Sequence, residues 1–221
     1  AKLNLESEIP DWNFERVVQQ ANVSWNNTLG KIDIETSDND SRTVFYTSLY
    51  HTFIQPSLAS DIDGRYRTMG HEIKRDTSYT NYTVFSLWDT FRATHPLYTI
   101  ITPKQNQAFI RSLLCKYDES GILPKWELAS NETGTMIGYH AVSVIADAIM
   151  KKQCDFDIKK AIEEGNITVD DIAKSVGEDV VIIKEKLCGK EDFIINEAMT
   201  INMELFPDIP FKTLFSHYKN D

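Results

Sequence analysis

One short stretch of the chain combines three side chains with complementary chemistry. Trp88, Asp89 and Arg92 place an indole, a carboxylate and a guanidinium within five residues. A carboxylate accepts neighbouring hydrogen bonds, a guanidinium donates a fork of them, and an indole offers a flat apolar face. Together these groups match a sugar ring, which has adjacent hydroxyls on its edge and C–H groups on its face. The same residues also fit a simpler interpretation, in which a buried Trp lies beside a surface Asp–Arg pair at a helix start.

A second stretch, residues 121–140, carries aromatic and acidic side chains between two helical patterns. It contains Trp126, Glu127 and Glu132. Both glutamates fit either a functional role or a structural one, as part of a solvated loop and as a helix cap. His140 lies one turn into an apolar helical pattern, where a histidine is more often a core residue than a ligand.

The elements that would position these residues are mostly helices. A strand-like run at 79–87 precedes Asp89, which would then lie in the first turn of a helix, where the backbone dipoles favour its ionised form. Apolar spacing predicts a helix capped by Asp11 and closed by Gly30. It predicts further helices at about 43–55, 88–102, 105–117, 158–164, 169–176, 180–187, 194–205 and 211–218. It also predicts a helix that includes Gly138 and runs to about Lys152. Strands are predicted at 32–35 and 79–87, and a turn leading into a strand at 61–67.

Composition excludes several classes of partner and site. The 221 residues carry a net charge of −10 and no cluster of Lys and Arg, so nucleic acid is not an expected partner. No apolar run reaches the length that spans a bilayer. The spacing of Cys115, Cys154 and Cys188 fits neither a zinc site nor a disulfide framework, and no metal site is predicted within the chain. The chain also lacks a Gly-rich phosphate loop and a nucleophile elbow.

A series of longer motifs resembles glycoside hydrolase family 92, the calcium-dependent, exo-acting α-mannosidases. The resemblance is continuous from about Trp12 to Lys152 and keeps the expected order of motifs. The residues that carry it are 45–50 with Pro56, 60–66, 85–92 through 95–97, 123–128 through 131–133, and 136–140.

This resemblance implies the fold. The family's catalytic domain is an (α/α)6 toroid of paired helices, and the resemblance begins where that toroid begins. The expected fold class is therefore mainly α, a partial toroid with a few short β-strands in the connecting loops. We predict that residues 1–154 form the first part of the toroid and that residues 155–221 form a divergent helical continuation of the same domain.

The resemblance also implies a function, the removal of terminal α-linked mannose from glycans by an inverting acid/base mechanism. Its general acid, general base and calcium ligands belong to later motifs, so no catalytic residue is assigned and the chain alone is expected to be inactive. The substrate-binding candidates are Asp89, which would accept hydrogen bonds from sugar hydroxyls, and Trp88 and Arg92, which would shape its surroundings. Trp126 and Glu132 are the further candidates.

Two other functions also fit the sequence. The chain could be a catalytically incomplete helical module that binds mannose, or an interaction domain in which the tryptophans are core residues. A partial ring would expose apolar helical faces, so self-association is expected. The family further implies a secreted, periplasmic or cell-surface location and a mannose-containing glycan as the partner.

Overall fold

A computed structural model describes residues 1–153, 167–188, 190–191 and 193–211, and it is mainly helical. The helices of the described residues are α1 (Lys2–Glu8), α2 (Phe14–Leu29), α3 (Asn39–Thr52), α4 (Leu87–Thr90), α5 (Thr94–Ile101), α6 (Pro103–Ser120), α7 (His140–Met150), α8 (Val169–Val176), α9 (Val180–Leu187) and α10 (Ile195–Leu205). The strands are β1 (Ser57–Leu58), β2 (Arg65–Arg67), β3 (Ile73–Arg75), β4 (Tyr82–Thr83), β5 (Phe85–Ser86) and β6 (Trp126–Glu127). They pair antiparallel as β1 with β4, β2 with β3, and β5 with β6.

A single hydrophobic core joins the two main described parts of the chain. Its centre is α6 and α7, where Leu113 and Ile145 are completely buried. Ile172 of α8, Ile183 of α9 and Ile201 of α10 belong to the same buried cluster. The helices on the two sides of residues 154–166 therefore stabilise each other by burying apolar surface together.

Most helix predictions are confirmed. Helix α6 ends at Ser120, and Gly121 follows it with a φ of 75°, the left-handed conformation that glycine adopts without strain. Helices α8 to α10 lie within one residue of their predicted bounds. The predicted helix at 158–164, and residues 212–218 of the last predicted helix, lie outside the described residues.

The predicted starts of the first two long helices are wrong by a few residues. Asn13, rather than Asp11, caps α2 by accepting a hydrogen bond from Arg16 N at 2.9 Å. Helix α3 begins at Asn39, four residues before the predicted start, because Asp38 accepts a hydrogen bond from Asp40 N and satisfies an unpaired amide of the first turn.

The single helix predicted for 88–102 is also wrong, because the structure has α4 and α5 instead. Ala93 separates them with φ −133° and ψ −51°. Pro96 has no backbone N–H and would clash with the preceding turn in a continuous helix. In the observed structure it lies in the first turn of α5, where a missing N–H costs no intrahelical hydrogen bond.

The predicted strands are only partly correct. The run at 79–87 contains β4 and β5, but Val84 interrupts them at φ 67°, a conformation that a β-branched residue rarely adopts. Residues 32–35 form no strand, so that prediction is wrong. The turn at 61–67 leads into β2, as predicted.

Helix α2 has no buried residue although its apolar residues follow helical spacing. Phe14 is 73% exposed and Val18 is 41% exposed. Sequence periodicity therefore identified the helix correctly. Helix α3 contacts the end of its apolar face, where the ring centre of Tyr50 lies 4.6 Å from that of Trp25, while Phe14 and Val18 stay exposed.

Candidate functional site

The pairing of β5 with β6 brings the two candidate stretches side by side. Ser86 lies opposite Trp126, and Phe85 lies opposite Glu127. Leu87 N donates to Lys125 O at 3.3 Å, which continues the contact into the start of α4. Residues that are 40 positions apart in the chain therefore meet at one strand-to-helix junction.

Asp89 lies in the first turn of α4 with its side chain exposed. The hydroxyl of Ser86 donates a hydrogen bond to Oδ2 of Asp89. A carboxylate has about four acceptor positions, so this bond orients the group and leaves room for a hydroxyl of a ligand.

The guanidinium of Arg92, three residues after Asp89, packs against two aromatic rings. Its guanidinium carbon is 4.9 Å from the centre of the Trp88 indole and 4.4 Å from the centre of the Phe91 ring. Nη1 donates to the carbonyl oxygen of Trp88 at 3.2 Å. Among the described ion pairs none joins Arg92 to Asp89, so the surface Asp–Arg pair of the simpler interpretation is not formed.

His140, at the start of α7, completes this aromatic cluster. Its imidazole stacks on Phe91 with ring centres 4.1 Å apart and planes 11° apart, and its ring centre lies 5.2 Å from that of Trp88. Nε2 of His140 is inaccessible to solvent and has no hydrogen-bond partner among the described residues. Gly138 makes this close packing possible, because a Cβ there would lie 2.3 Å from Nε2.

Glu127 is a buried structural carboxylate, so the alternative that placed it in a solvated loop is wrong. It is 0% exposed and pairs with Lys116, itself 2% exposed, at 3.4 Å. Its carboxylate also accepts hydrogen bonds from Thr83 Oγ1 at 2.9 Å, Val84 N at 3.1 Å and Ser130 N at 2.6 Å. The bond to Val84 N accounts for the unusual backbone conformation that separates β4 from β5.

Glu132 does not cap a helix, and its carboxylate binds the backbone of its own loop. It accepts hydrogen bonds from Lys125 N at 2.7 Å, Trp126 N at 3.2 Å and Gly134 N at 3.1 Å. Glu132 therefore joins the two sides of the loop around β6.

The five candidate residues are thus connected through a short series of contacts. Ser86 binds Asp89 and lies opposite Trp126, Glu132 binds the amide of Trp126, and Arg92 packs on Trp88. The sequence did not identify Phe91 and His140 as members of this cluster. The sequence feature that accompanies His140 is Gly138, two residues earlier. Its role, to leave space for the imidazole, is visible only in the folded structure.

A cavity of about 300 Å³ lies elsewhere, between α1 and residues 58–64 and 76–80. None of the five candidate residues lines it. The sugar-binding candidates therefore form a site that is separate from this cavity.

The described residues do not fit a calcium site. Within the described ranges no group of three or more His, Cys, Asp and Glu side chains is placed to hold a metal ion. Calcium favours six to eight oxygen ligands, so no step is assigned through calcium to this part of the chain.

Comparison with known proteins identifies the family. A model described as the glycosyl hydrolase family 92 catalytic domain matches residues 1–179. The chain belongs to glycosyl hydrolase family 92. The family match extends past residue 153, the end of the first described part of the chain.

Solved structures of family 92 members are similar to the chain. An α-mannosidase from Bacteroides thetaiotaomicron is 39% identical, with a TM-score of 0.68, over 76% of this chain and 23% of its own. The same enzyme in complex with mannoimidazole gives the same identity and TM-score over 22% of its length. An inverting mannosidase from Bacteroides thetaiotaomicron VPI-5482 is 23% identical, with a TM-score of 0.67, over 98% of this chain and 32% of its own.

These comparisons confirm the predicted fold class, a mainly helical part of the family 92 toroid with short strands. The chain spans between about a fifth and a third of the length of these solved relatives. A search of curated proteins found no match. Within the described residues no helix is long and apolar enough to cross a membrane.

Proposed function

We propose that this family 92 chain supplies part of the pocket that holds a terminal α-linked mannose during glycoside hydrolysis. The observation that carries the proposal is the Asp89 carboxylate, which is exposed, oriented by Ser86 and adjacent to the Trp88 indole. The mannoimidazole complex of a 39% identical relative supports mannose as the sugar. A carboxylate that pairs with sugar hydroxyls contributes about 1–3 kcal/mol to binding, because its loss leaves those hydroxyls without partners.

The other site residues have complementary roles in this proposal. The indoles of Trp88 and Trp126 offer apolar faces for the C–H groups of the sugar. Arg92, held by its contacts to Trp88 and Phe91, sets the shape and charge beside Asp89. Glu132 belongs to the same substrate-binding region through its contact with Trp126.

An inverting glycosidase needs two further carboxyl groups. One protonates the leaving oxygen, and the other activates a water on the opposite face of the sugar, so the two lie roughly 6.5–9.5 Å apart. In the two candidate loops Glu127 is committed to an ion pair and Glu132 to backbone amides. We therefore assign binding to these loops, and propose that the acid, the base and the calcium ligands lie outside this chain.

Several features of the whole protein follow from the same proposal. The partner is a mannose-containing glycan, and the location is secreted, periplasmic or cell-surface, where such glycans occur. Residues 1–154 are the first part of the toroid and residues 155–221 its helical continuation. The shared core of α7 with α8 and α10 supports assigning both parts to one domain.

A second candidate function is a helical mannose-binding module without hydrolysis. The observation that favours it is the structural use of both Glu127 and Glu132, which leaves these loops with a binding carboxylate but no pair for acid and base chemistry. Calorimetry would then show mannose binding by residues 1–221, with no turnover by any protein that contains them.

The test of the main proposal compares the chain alone with a full-length family 92 catalytic domain that contains it. We expect no hydrolysis of α-mannosides by residues 1–221 and hydrolysis by the full-length domain with calcium. In that domain Asp89→Ala should lower kcat/KM by roughly tenfold or more, the equivalent of 1.4 kcal/mol or more.

Asp147→Ala is the matched control for this substitution. Asp147 is also a helix carboxylate and pairs with Lys151 away from the site, so its loss should leave turnover unchanged. Equal kinetics for Asp89→Ala and the unsubstituted enzyme would contradict the role of Asp89.

We also propose self-association of residues 1–221 through the apolar face of α2. Phe14 and Val18 lie on that exposed face. Sedimentation velocity at increasing protein concentration should detect an oligomer that the double substitution Phe14→Ser and Val18→Ser weakens.

A further inference from the structure

Both oxygens of the Glu132 carboxylate bind backbone amides of the loop that carries Trp126. Oε2 accepts from Lys125 N at 2.7 Å and from Trp126 N at 3.2 Å. Oε1 accepts from Gly134 N at 3.1 Å and, more weakly, from Trp126 N at 3.4 Å. Hydrogen bonds with an ionised acceptor are about twice as strong as neutral ones, so this is a strong local contact.

Residues 132 and 133 hold both polar backbone groups of Trp126. The N–H of Trp126 donates to Glu132, and its carbonyl oxygen accepts from Thr133 N at 3.2 Å and from Thr133 Oγ1 at 3.0 Å. Because a side chain in a strand leaves the backbone roughly perpendicular to the sheet, fixing these two groups also fixes the direction of the Cα–Cβ bond that carries the indole.

The loop between β6 and Glu132 needs such a contact. Ala129 and Ser130 have φ values of 49° and 65°, a conformation that costs of order 1 kcal/mol or more for each residue. Glu127 holds one end of the loop through Ser130 N, and Glu132 holds the other. The two carboxylates thus stabilise this strained turn together with the reciprocal backbone hydrogen bonds between Leu128 and Asn131.

We infer that Glu132 is a positioning residue, which acts on the sugar through Trp126 and does not bind the sugar itself. The inference rests on the proposed function, because it assumes that Trp126 contacts the sugar. It assigns the two acidic candidates of the site different roles: Asp89 binds the ligand, and Glu132 orients an aromatic surface.

The first experiment needs no sugar. Amide hydrogen exchange of residues 1–221 is compared for the unsubstituted chain, Glu132→Ala and Glu132→Gln. We expect exchange at Lys125, Trp126 and Gly134 to accelerate roughly tenfold or more in Glu132→Ala, as for the loss of a charge-assisted hydrogen bond. Glu132→Gln keeps one acceptor oxygen and should give a smaller increase.

The matched control is Glu72→Gln, which makes the same change in charge at an exposed residue beside β3. It should leave exchange in residues 125–134 unchanged. Unchanged exchange at these amides in both Glu132 variants would overturn the inference.

The second experiment is a double-mutant cycle of mannose affinity in the full-length catalytic domain. Glu132→Gln should weaken binding when Trp126 is present and should have less than about a twofold effect in the Trp126→Ala background, because contacting groups are not additive. An equal loss in both backgrounds would show that Glu132 meets the sugar directly, and would overturn the inference.

The two experiments separate this inference from the function on which it rests. If the unsubstituted domain binds no mannose, the proposed function fails and a role for Glu132 in sugar binding fails with it. The exchange result then still decides whether Glu132 positions β6.

Discussion

The position of the His140 side chain depends on its close contact with Gly138. Gly138 has φ +87°, and its Cα lies against the imidazole of His140. That imidazole in turn stacks on Phe91 and lies beside Trp88. The close approach of Gly138 therefore allows the imidazole of His140 to pack against Phe91 and Trp88.

Gly138→Ala should destabilise the protein and move His140. The added Cβ would meet Nε2 at 2.3 Å, and the left-handed conformation costs about 1–2 kcal/mol for an L-residue. We expect a lower free energy of unfolding and a changed tryptophan emission spectrum, both measured by urea titration with fluorescence.

Gly134→Ala is the control for backbone strain alone. Gly134 also has a positive φ, of +65°, but a Cβ there meets no atom within 4 Å. Gly134→Ala should introduce the same backbone strain as Gly138→Ala and leave the native tryptophan spectrum unchanged. If both variants lose equal stability and keep that spectrum, the contact between Gly138 and His140 has no consequence for the site.

The elements around the site are joined by a buried ion pair. Lys116 lies on α6, in the centre of the core, and Glu127 lies on β6. The carboxylate also binds Thr83 Oγ1 and Val84 N, so it connects a helix, β6 and the turn between β4 and β5. A charge buried this deeply destabilises the fold when it loses its partner, because no other interaction then replaces its lost hydration.

Lys116→Met should lower the free energy of unfolding by about 3–5 kcal/mol, because it leaves the Glu127 carboxylate buried without its cation. Adding Glu127→Gln to this variant should recover part of the loss by removing the charge. Chemical denaturation measures both effects.

The control is Lys190→Met, which breaks the exposed pair with Glu185 at 3.1 Å. Exposed pairs contribute little, so its effect should stay within about 0.5 kcal/mol. If Lys116→Met and Lys190→Met lower the free energy of unfolding by similar small amounts, the buried pair does not stabilise the contact between these elements.

The stability of the complete fold also depends on a buried polar region between helices α5, α6 and the end of α7. His95 is 2% exposed and packs edge-on against Tyr98. Gln153 receives a hydrogen bond from Asn106 at 3.3 Å and donates one to the carbonyl oxygen of Thr99. Burial lowers the pKa of His95 to about 4, and a hydrogen bond with Asn106 opposes this shift only in part.

Acid should therefore destabilise the fold through His95. Its pKa is lower in the folded chain than in the unfolded chain, where it is about 6.5, so the unfolded chain binds the proton first. The stabilising contribution of neutral His95 is complete above pH 6.5 and is lost as the pH falls toward 4, at up to about 1.4 kcal/mol per pH unit.

Urea unfolding of His95→Gln at pH 7.5, 6.0 and 5.0 tests this dependence. The variant should show a smaller loss of stability with acid than the unsubstituted chain does. The exposed residue His51 supplies the control, since His51→Gln should keep the original dependence. An unaltered pH dependence in His95→Gln would contradict the role of His95.

Local sequence determined the positions of most helices and the family of this protein. Helical spacing and a terminal glycine predicted α6, and apolar spacing predicted α8 to α10, because these signals act between residues at most four positions apart. Proline chemistry also explains the break between α4 and α5, because Pro96 cannot continue a helix from α4. The ordered series of motifs between residues 45 and 140 was sufficient to recognise the family.

Tertiary structure decided the roles of the acidic residues and the direction of the aromatic ones. Glu127 is buried because Lys116 and Thr83 reach it from other elements, and the Thr83 hydroxyl that binds it is 44 positions away. The strand break at Val84 and the stacking of His140 on Phe91 have the same origin. Such contacts join residues far apart in the chain, and their energy depends on burial, which no local pattern of residues encodes.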